Sequence, residues 1–178
     1  MTVNRTFIEG LEILSPRVTE DPRGSFFKIY QINNFEELGL PTDWREEYFS
    51  ISKKDVIRGM HFQIQPHDHD KMVTCIQGAV LDVVIDLRKA SKTYEQVFSA
   101  ELNAQNKHVL VIPKGCAHGF LSLQDNSMMF YKVSTVYSPA NDKGIRWNSI
   151  DFDWPIENAL VSERDHNHPA LSDYESPF

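Results

Sequence analysis

Four side chains in this sequence have the types needed to move a proton to and from carbon: His61, Tyr131, Lys71 and Asp165. A histidine is the residue best matched to proton abstraction near neutral pH. A carboxylate on its second nitrogen fixes the tautomer and favours the imidazolium that forms, and Asp165 can serve. A lysine beside a substrate carbonyl stabilises an enolate oxygen electrostatically. A tyrosine hydroxyl can return a proton from the other face. Together they describe proton abstraction next to a ketone, with return on the opposite face inverting the carbon. No nucleophile with an adjacent base stands out. Singly, each residue also has a structural explanation: strand histidines and tyrosines are commonly core residues, Lys71 can be a solvated charge, and Asp165 can cap a turn within Ser162-Glu163-Arg164-Asp165.

The elements that must position them are short strands. Apolar runs at Glu47–Lys53, Val56–Gln63, Met72–Ile76, Ala79–Leu87, Val97–Leu102, His108–Ile112, Gly119–Leu123 and Ser127–Tyr137 are separated by turn residues, and Gln77-Gly78 reads as a tight hairpin. Asn34, with Glu37 three residues on, predicts a capped short helix that Gly39 ends. The pattern predicts an all-β sandwich or barrel forming a single domain over 1–178, with a long irregular C-terminal arm whose tail after about residue 166 is polar and poorly ordered. Strand parity sharpens the site. His61 shares a face with Gly59 and Gln63, whereas Arg58 goes with Met60 and Phe62. For Arg58 and His61 to reach one ligand the strand must bulge or twist, and Gly59 between them marks such a bulge or a close ligand approach.

The bulk properties narrow the partners. A net charge of −7 over 178 residues argues against non-specific nucleic-acid binding, which needs a basic face. It leaves room for a diphosphate held by a few cations lining one cleft. No apolar run approaches a membrane span, and the N-terminus does not resemble a signal peptide. Cys75 and Cys116 lack metal-ligand spacing and read as buried free thiols. The expected location is the cytoplasm.

A rival constellation exists. His67-Asp68-His69, joined later by Pro113-x-Gly115-x-x-His118, looks like the metal motifs of cupins. The expected glutamate ligand is missing, and Lys71 stands where a cation would repel the ion. This rival reading is a metal cupin, either a dioxygenase or a ligand-binding module.

Taken in order, the segments Asp21-Pro22-Arg23-Gly24-Ser25-Phe26-Phe27, Arg58-Gly59-Met60-His61-Phe62-Gln63, Lys71-Met72-Val73, Pro113-Lys114-Gly115-Cys116-Ala117-His118-Gly119-Phe120, Tyr131-Lys132, Gly144-Ile145-Arg146-Trp147-Asn148 and Ser162-Glu163-Arg164-Asp165 resemble the dTDP-4-dehydrorhamnose 3,5-epimerase family over roughly residues 6–169. That resemblance implies a cupin-like jelly roll, a homodimer, and epimerisation at C3, C5 or both of a nucleotide-linked 4-keto-6-deoxy sugar, without metal or other cofactor. It implies His61 as base, Asp165 as its partner and Tyr131 as acid. Lys71 and His118 would surround the sugar, and Arg58 would lie near the diphosphate. Arg23 would hold the nucleotide partly across the dimer interface, and Asp142 and Arg164 would make further contacts. Phe26, Tyr48 and Tyr137 offer aromatic faces near the ligand. The chain departs from the family pattern at Lys28, where glutamate is usual, and at Tyr48-Phe49-Ser50, where Gln-x-Asn is usual. Nucleotide-facing positions are therefore changed while the reacting ones are kept. A 3-epimerase or ketoisomerase acting on another nucleotide sugar is the close alternative.

Overall fold

The computed structural model describes residues 1–178. In chain order the strands are β1 (Thr2–Arg5), β2 (Glu12–Ser15), β3 (Val18–Asp21), β4 (Gly24–Phe27), β5 (Glu46–Ser52), β6 (Val56–Gln63), β7 (Lys71–Gln77), β8 (Ala79–Asp86), β9 (Val97–Asn103), β10 (Val109–Ile112), β11 (Cys116–Ser122), β12 (Ser127–Val133), β13 (Asp142–Gly144) and β14 (Leu160–Val161). Two short α-helices, α1 (Ile32–Glu37) and α2 (Glu163–His166), and two single 3-10 turns at Trp147–Ser149 and Leu171–Asp173 complete the regular structure. One sheet runs β1-β2-β10-β7-β12-β5 and the other β13-β6-β11-β8-β9, while β3 and β4 form a separate ribbon. All pairings are antiparallel except β14 on β6. From β5 to β8 and again from β10 to β12, successive strands alternate between the sheets, which is the jelly-roll sandwich expected.

Gln77-Gly78 is a correction to the hairpin reading. β7 and β8 do not pair with each other; each belongs to a different sheet. Gly78 takes φ +76° and turns the corner between sheets, and a Cβ there would come within 2.6 Å of Ser127 Oγ. Two adjacent strand runs joined by a glycine look alike in sequence whether the chain folds back or crosses over. Helix α1 also begins earlier than expected: Gln31 is the N-cap and Asn34 lies inside. Gly39, at φ +69°, does end it.

Between the sheets lie Val73, Cys75, Leu110 and Met129 from the first, against Val80, Val84, Leu102 and Phe120 from the second. The outer face of the first sheet is covered by Phe35 and Leu40. That of the second is covered by the C-terminal arm. Strands buried on both faces need no alternation, which explains the continuous apolar runs of β7, β8 and β11. The tail after 166 was expected to be poorly ordered because it is polar. It instead lays Leu171, Tyr174 and Phe178 against Phe62 and its neighbours, and the buried Ser176 hydroxyl donates to the Leu87 carbonyl. Both cysteines are buried and free. No helix is long and apolar enough to cross a membrane.

Candidate active site

The sandwich opens at one end into a cleft of about 680 Å³, within the usual range for small-molecule sites. The two sheets form its opposing walls. Lys71 and Tyr131 come from β7 and β12, and His61 and His118 from β6 and β11.

β6 carries the bulge that parity demanded. Its register against β11 shifts, with His61 opposite His118 and Arg58 opposite Phe120, so two residues of β6 face one of β11. Gly59 sits at φ +137°, and a Cβ there would lie 2.5 Å from Gly119 Cα. Only glycine permits this approach. The bulge turns Arg58 and His61 to the same cleft despite their opposite parity. Arg58 is fixed by bonds from Nε to Ser52 Oγ (3.0 Å) and from its guanidinium to the Ile51 carbonyl (3.2 Å).

Asp165 arrives from far along the chain. β14 pairs in parallel with the start of β6, and α2 follows, capped by Ser162 Oγ accepting from Asp165 N–H. The carboxylate thereby reaches His61: Oδ1 lies 2.7 Å from His61 Nε2, and Oδ2 accepts the Gly59 N–H at 3.1 Å. Burial alone would raise this carboxyl's pKa. The bonds from His61 and Gly59 outweigh it and hold the group below the ordinary carboxylate range. An ionised Asp165 places the imidazole hydrogen on Nε2 and leaves the Nδ1 lone pair free.

On the opposite wall Tyr131 is buried, its hydroxyl 3.1 Å from Ser50 Oγ and its ring stacked on Tyr48 at 4.6 Å. Burial raises its pKa, with Ser50 opposing, so the phenol keeps its proton at neutral pH. Lys71 is 8% exposed. Desolvation pulls its pKa down to about 8, partly offset by Asp82 and Asp142. His118 is also buried, with Nε2 2.8 Å from Asp82 Oδ2; desolvation lowers its pKa, against the pull of Asp82. At the mouth, Arg164 donates to Asp142 Oδ2 at 2.7 Å, and Tyr137 is more than half exposed.

The cleft therefore brings together His61, Asp165, Tyr131, Lys71, His118, Arg58, Tyr48, Ser50, Tyr137, Asp142 and Arg164. It does not include Arg23, Phe26 or Lys28. These lie on or just after the β3–β4 ribbon, exposed, with Arg23 paired to Asp21. The rival trio His67, His69 and His118 does not converge. His69 Nδ1 faces Gln63 and Thr135, and His118 is held by Asp82. Sequence reasoning missed Glu46, which accepts the Tyr137 N–H, and Asp82 as the partner of His118. The second had a signal: an aspartate inside the apolar run Val80–Ile85 must have a buried partner.

A family model for dTDP-4-dehydrorhamnose 3,5-epimerase matches residues 5–173. The dTDP-4-dehydrorhamnose 3,5-epimerase of Escherichia coli K12 is 43% identical over 164 residues, covering 90% of this chain and 89% of that one. The crystal structure of the Bacillus anthracis dTDP-4-dehydrorhamnose 3,5-epimerase, with TDP and PPi bound, superposes with a TM-score of 0.93 at 36% identity, covering 96% and 99% of the two chains. NovW from Streptomyces spheroides, a 4-keto-6-deoxy sugar epimerase, gives 0.92 at 33% identity over 97% and 88%.

Proposed function

The chain belongs to the dTDP-4-dehydrorhamnose 3,5-epimerase family, and from that premise we propose how its cleft works as an isomerase on a nucleotide-linked 4-keto-6-deoxy sugar. The observation that carries the reading is the His61–Asp165 pair on one wall facing Lys71 and Tyr131 on the other. His61 Nδ1 takes the proton from the carbon beside the ketone, and Asp165 stabilises the resulting imidazolium. The electrons move onto the ketone oxygen as an enolate, held by the Lys71 ammonium. Tyr131 then gives its proton to the carbon from the opposite face, and the configuration inverts. The same abstraction serves C3 and C5 if the ring shifts in the cleft. The diphosphate lies toward Arg58.

The carrier we assign is dTDP, following the names of the relatives, in deoxysugar biosynthesis in the cytoplasm. The working form is a homodimer, in which the exposed ribbon bearing Arg23, Phe26 and Lys28 reaches the nucleotide in the partner's cleft. The test is a panel of dTDP-, UDP-, CDP- and GDP-linked 4-keto-6-deoxy sugars incubated in D2O and followed by NMR. Deuterium should enter beside the ketone in the dTDP sugar, with epimer formed. His61→Asn should lose exchange by ~10²–10⁴-fold while remaining folded. Exchange at the parent rate in that variant would remove His61 as the base.

A further inference from the structure

Asp165 has a second neighbour that this chemistry leaves idle. His168, just beyond α2, brings its Nε2 to 3.7 Å from Asp165 Oδ1, the oxygen that His61 Nε2 meets at 2.7 Å. The two imidazoles meet edge to face, 5.7 Å between centroids. One ligand atom from each of His61, Asp165 and His168 lies within 4.8 Å of the other two, and no other three His, Cys, Asp or Glu residues in the molecule do so. His168 Nε2 is buried and has no hydrogen-bond partner, since 3.7 Å is beyond hydrogen-bond reach. Its seat is built for it: a Cβ on Gly144 would fall 2.3 Å from that nitrogen, and Gly144 is the residue opposite His61 in the β13–β6 ladder.

We propose that His61, Asp165 and His168 form a binding site for a divalent transition-metal ion of the zinc class, and that filling it switches the epimerase off. Two imidazoles and a carboxylate suit Zn²⁺ and disfavour the oxygen-seeking Mg²⁺ and Ca²⁺. Ligand atoms about 2.0–2.1 Å from a tetrahedral ion stand roughly 3.3 Å apart, and the distances of 2.7 and 3.7 Å bracket that spacing. Asp165 also borders the cleft, so water can complete the coordination.

The inhibitory half rests on the role of His61 proposed above, and its chemistry balances without loss of a proton. In the resting pair the imidazole hydrogen is on Nε2 and the lone pair on Nδ1. Zinc takes the Nε2 lone pair, so the hydrogen resides on Nδ1. The nitrogen facing the substrate becomes a donor and can no longer accept a proton from carbon. His168 coordinates through Nε2 with its hydrogen on Nδ1, and the Asp165 carboxylate exchanges its bond from His61 for one to the ion.

The probe is Zn²⁺ itself, titrated calorimetrically without substrate into full-length protein first stripped with a chelator and dialysed. One ion per chain should bind, and His168→Asn should weaken it by about 10–100-fold or more. In the parent protein zinc should suppress deuterium exchange and a chelator should restore it, while His168→Asn should exchange normally and resist the same zinc concentration. Equal zinc affinity in the two proteins would overturn the site. Tight binding with undiminished exchange would overturn the switch. If His168→Asn does not fold, ring-nitrogen NMR of the parent protein decides instead: zinc must shift both His61 and His168, and unmoved resonances overturn the proposal. A protein that exchanges no sugar proton under any condition would defeat the epimerase reading, whereas the calorimetric result would stand.

Discussion

Lys71 is the residue whose surroundings most directly set a pH dependence. Its ammonium must be charged to hold an enolate, and burial brings its pKa down to about 8. The charged form therefore dominates below that pH and is lost as pH rises through it. The rate of epimerisation should fall on the alkaline side with an apparent pKa near that value, and Lys71→Met should lose most activity at every pH. A rate that stays level well above that pH would show that the lysine charge is not required. Tyr131 behaves in the opposite sense. Burial raises its pKa, so it stays a proton donor across the same range. Tyr131→Phe should slow epimer formation more than it slows deuterium exchange, because the abstraction proposed at His61 needs no phenol. Equal, mild losses in both rates would reduce Tyr131 to packing against Tyr48. That His61, Asp165, Tyr131 and Lys71 meet in one cleft was legible in the sequence because their types are chemically restrictive. Asp82 and His168 were less so, since a buried partner is defined by contacts across strands that no spacing along the chain records.

At the scale of the element, β6 shows how much a pattern can specify. Parity along Arg58-Gly59-Met60-His61 required a bulge or a twist if both side chains were to meet one ligand, and the ladder shifts register there. Gly59→Ala adds a methyl 2.5 Å from Gly119 Cα at a φ of +137°. The contact is with backbone held in the β6–β11 ladder, so no side chain can move aside. The variant should lose about 2–4 kcal/mol of stability, read from the urea midpoint, and its activity should fall as His61 is displaced. A midpoint matching the parent would mean the bulge relaxes freely. The corner at Gly78 was not legible in the same way. A glycine between two apolar runs permits a hairpin or a crossing, and the choice is made by which strands cover the core, here β10 and β12 beside β7 and β11 beside β8. The C-terminal tail failed for a related reason. Three apolar residues among polar ones carry little signal, yet Leu171, Tyr174 and Phe178 meet one sheet face.

For the molecule as a whole, the outer face of the first sheet is covered unevenly. Phe35 and Leu40 cover the middle, whereas β5 is the sheet's terminal strand and leaves Phe49 and Ile51 more than half exposed. Alternation along β5 makes the division plain: Tyr48 and Ser50 point into the cleft, and Phe49 and Ile51 point away from it. An unpaired, apolar edge strand is a site of unwanted association unless something covers it. The ribbon β3–β4, carrying Phe26 at 65% exposure and Arg23 with a nearly bare side chain, is likewise exposed. In the homodimer proposed above, a second copy would answer both needs, covering the β5 edge and receiving the ribbon at the nucleotide end of its cleft. The expected outcome is a dimer by sedimentation at micromolar concentration. Phe49→Glu combined with Ile51→Glu should yield monomers that remain folded but have lost affinity for the nucleotide sugar. Arg23→Ala should keep the dimer and raise KM while changing kcat little, because phosphate binding is separated from the proton-transfer residues. Monomers that turn over the sugar with the parent's KM would show that each cleft is complete without its partner, and the ribbon would then need another explanation.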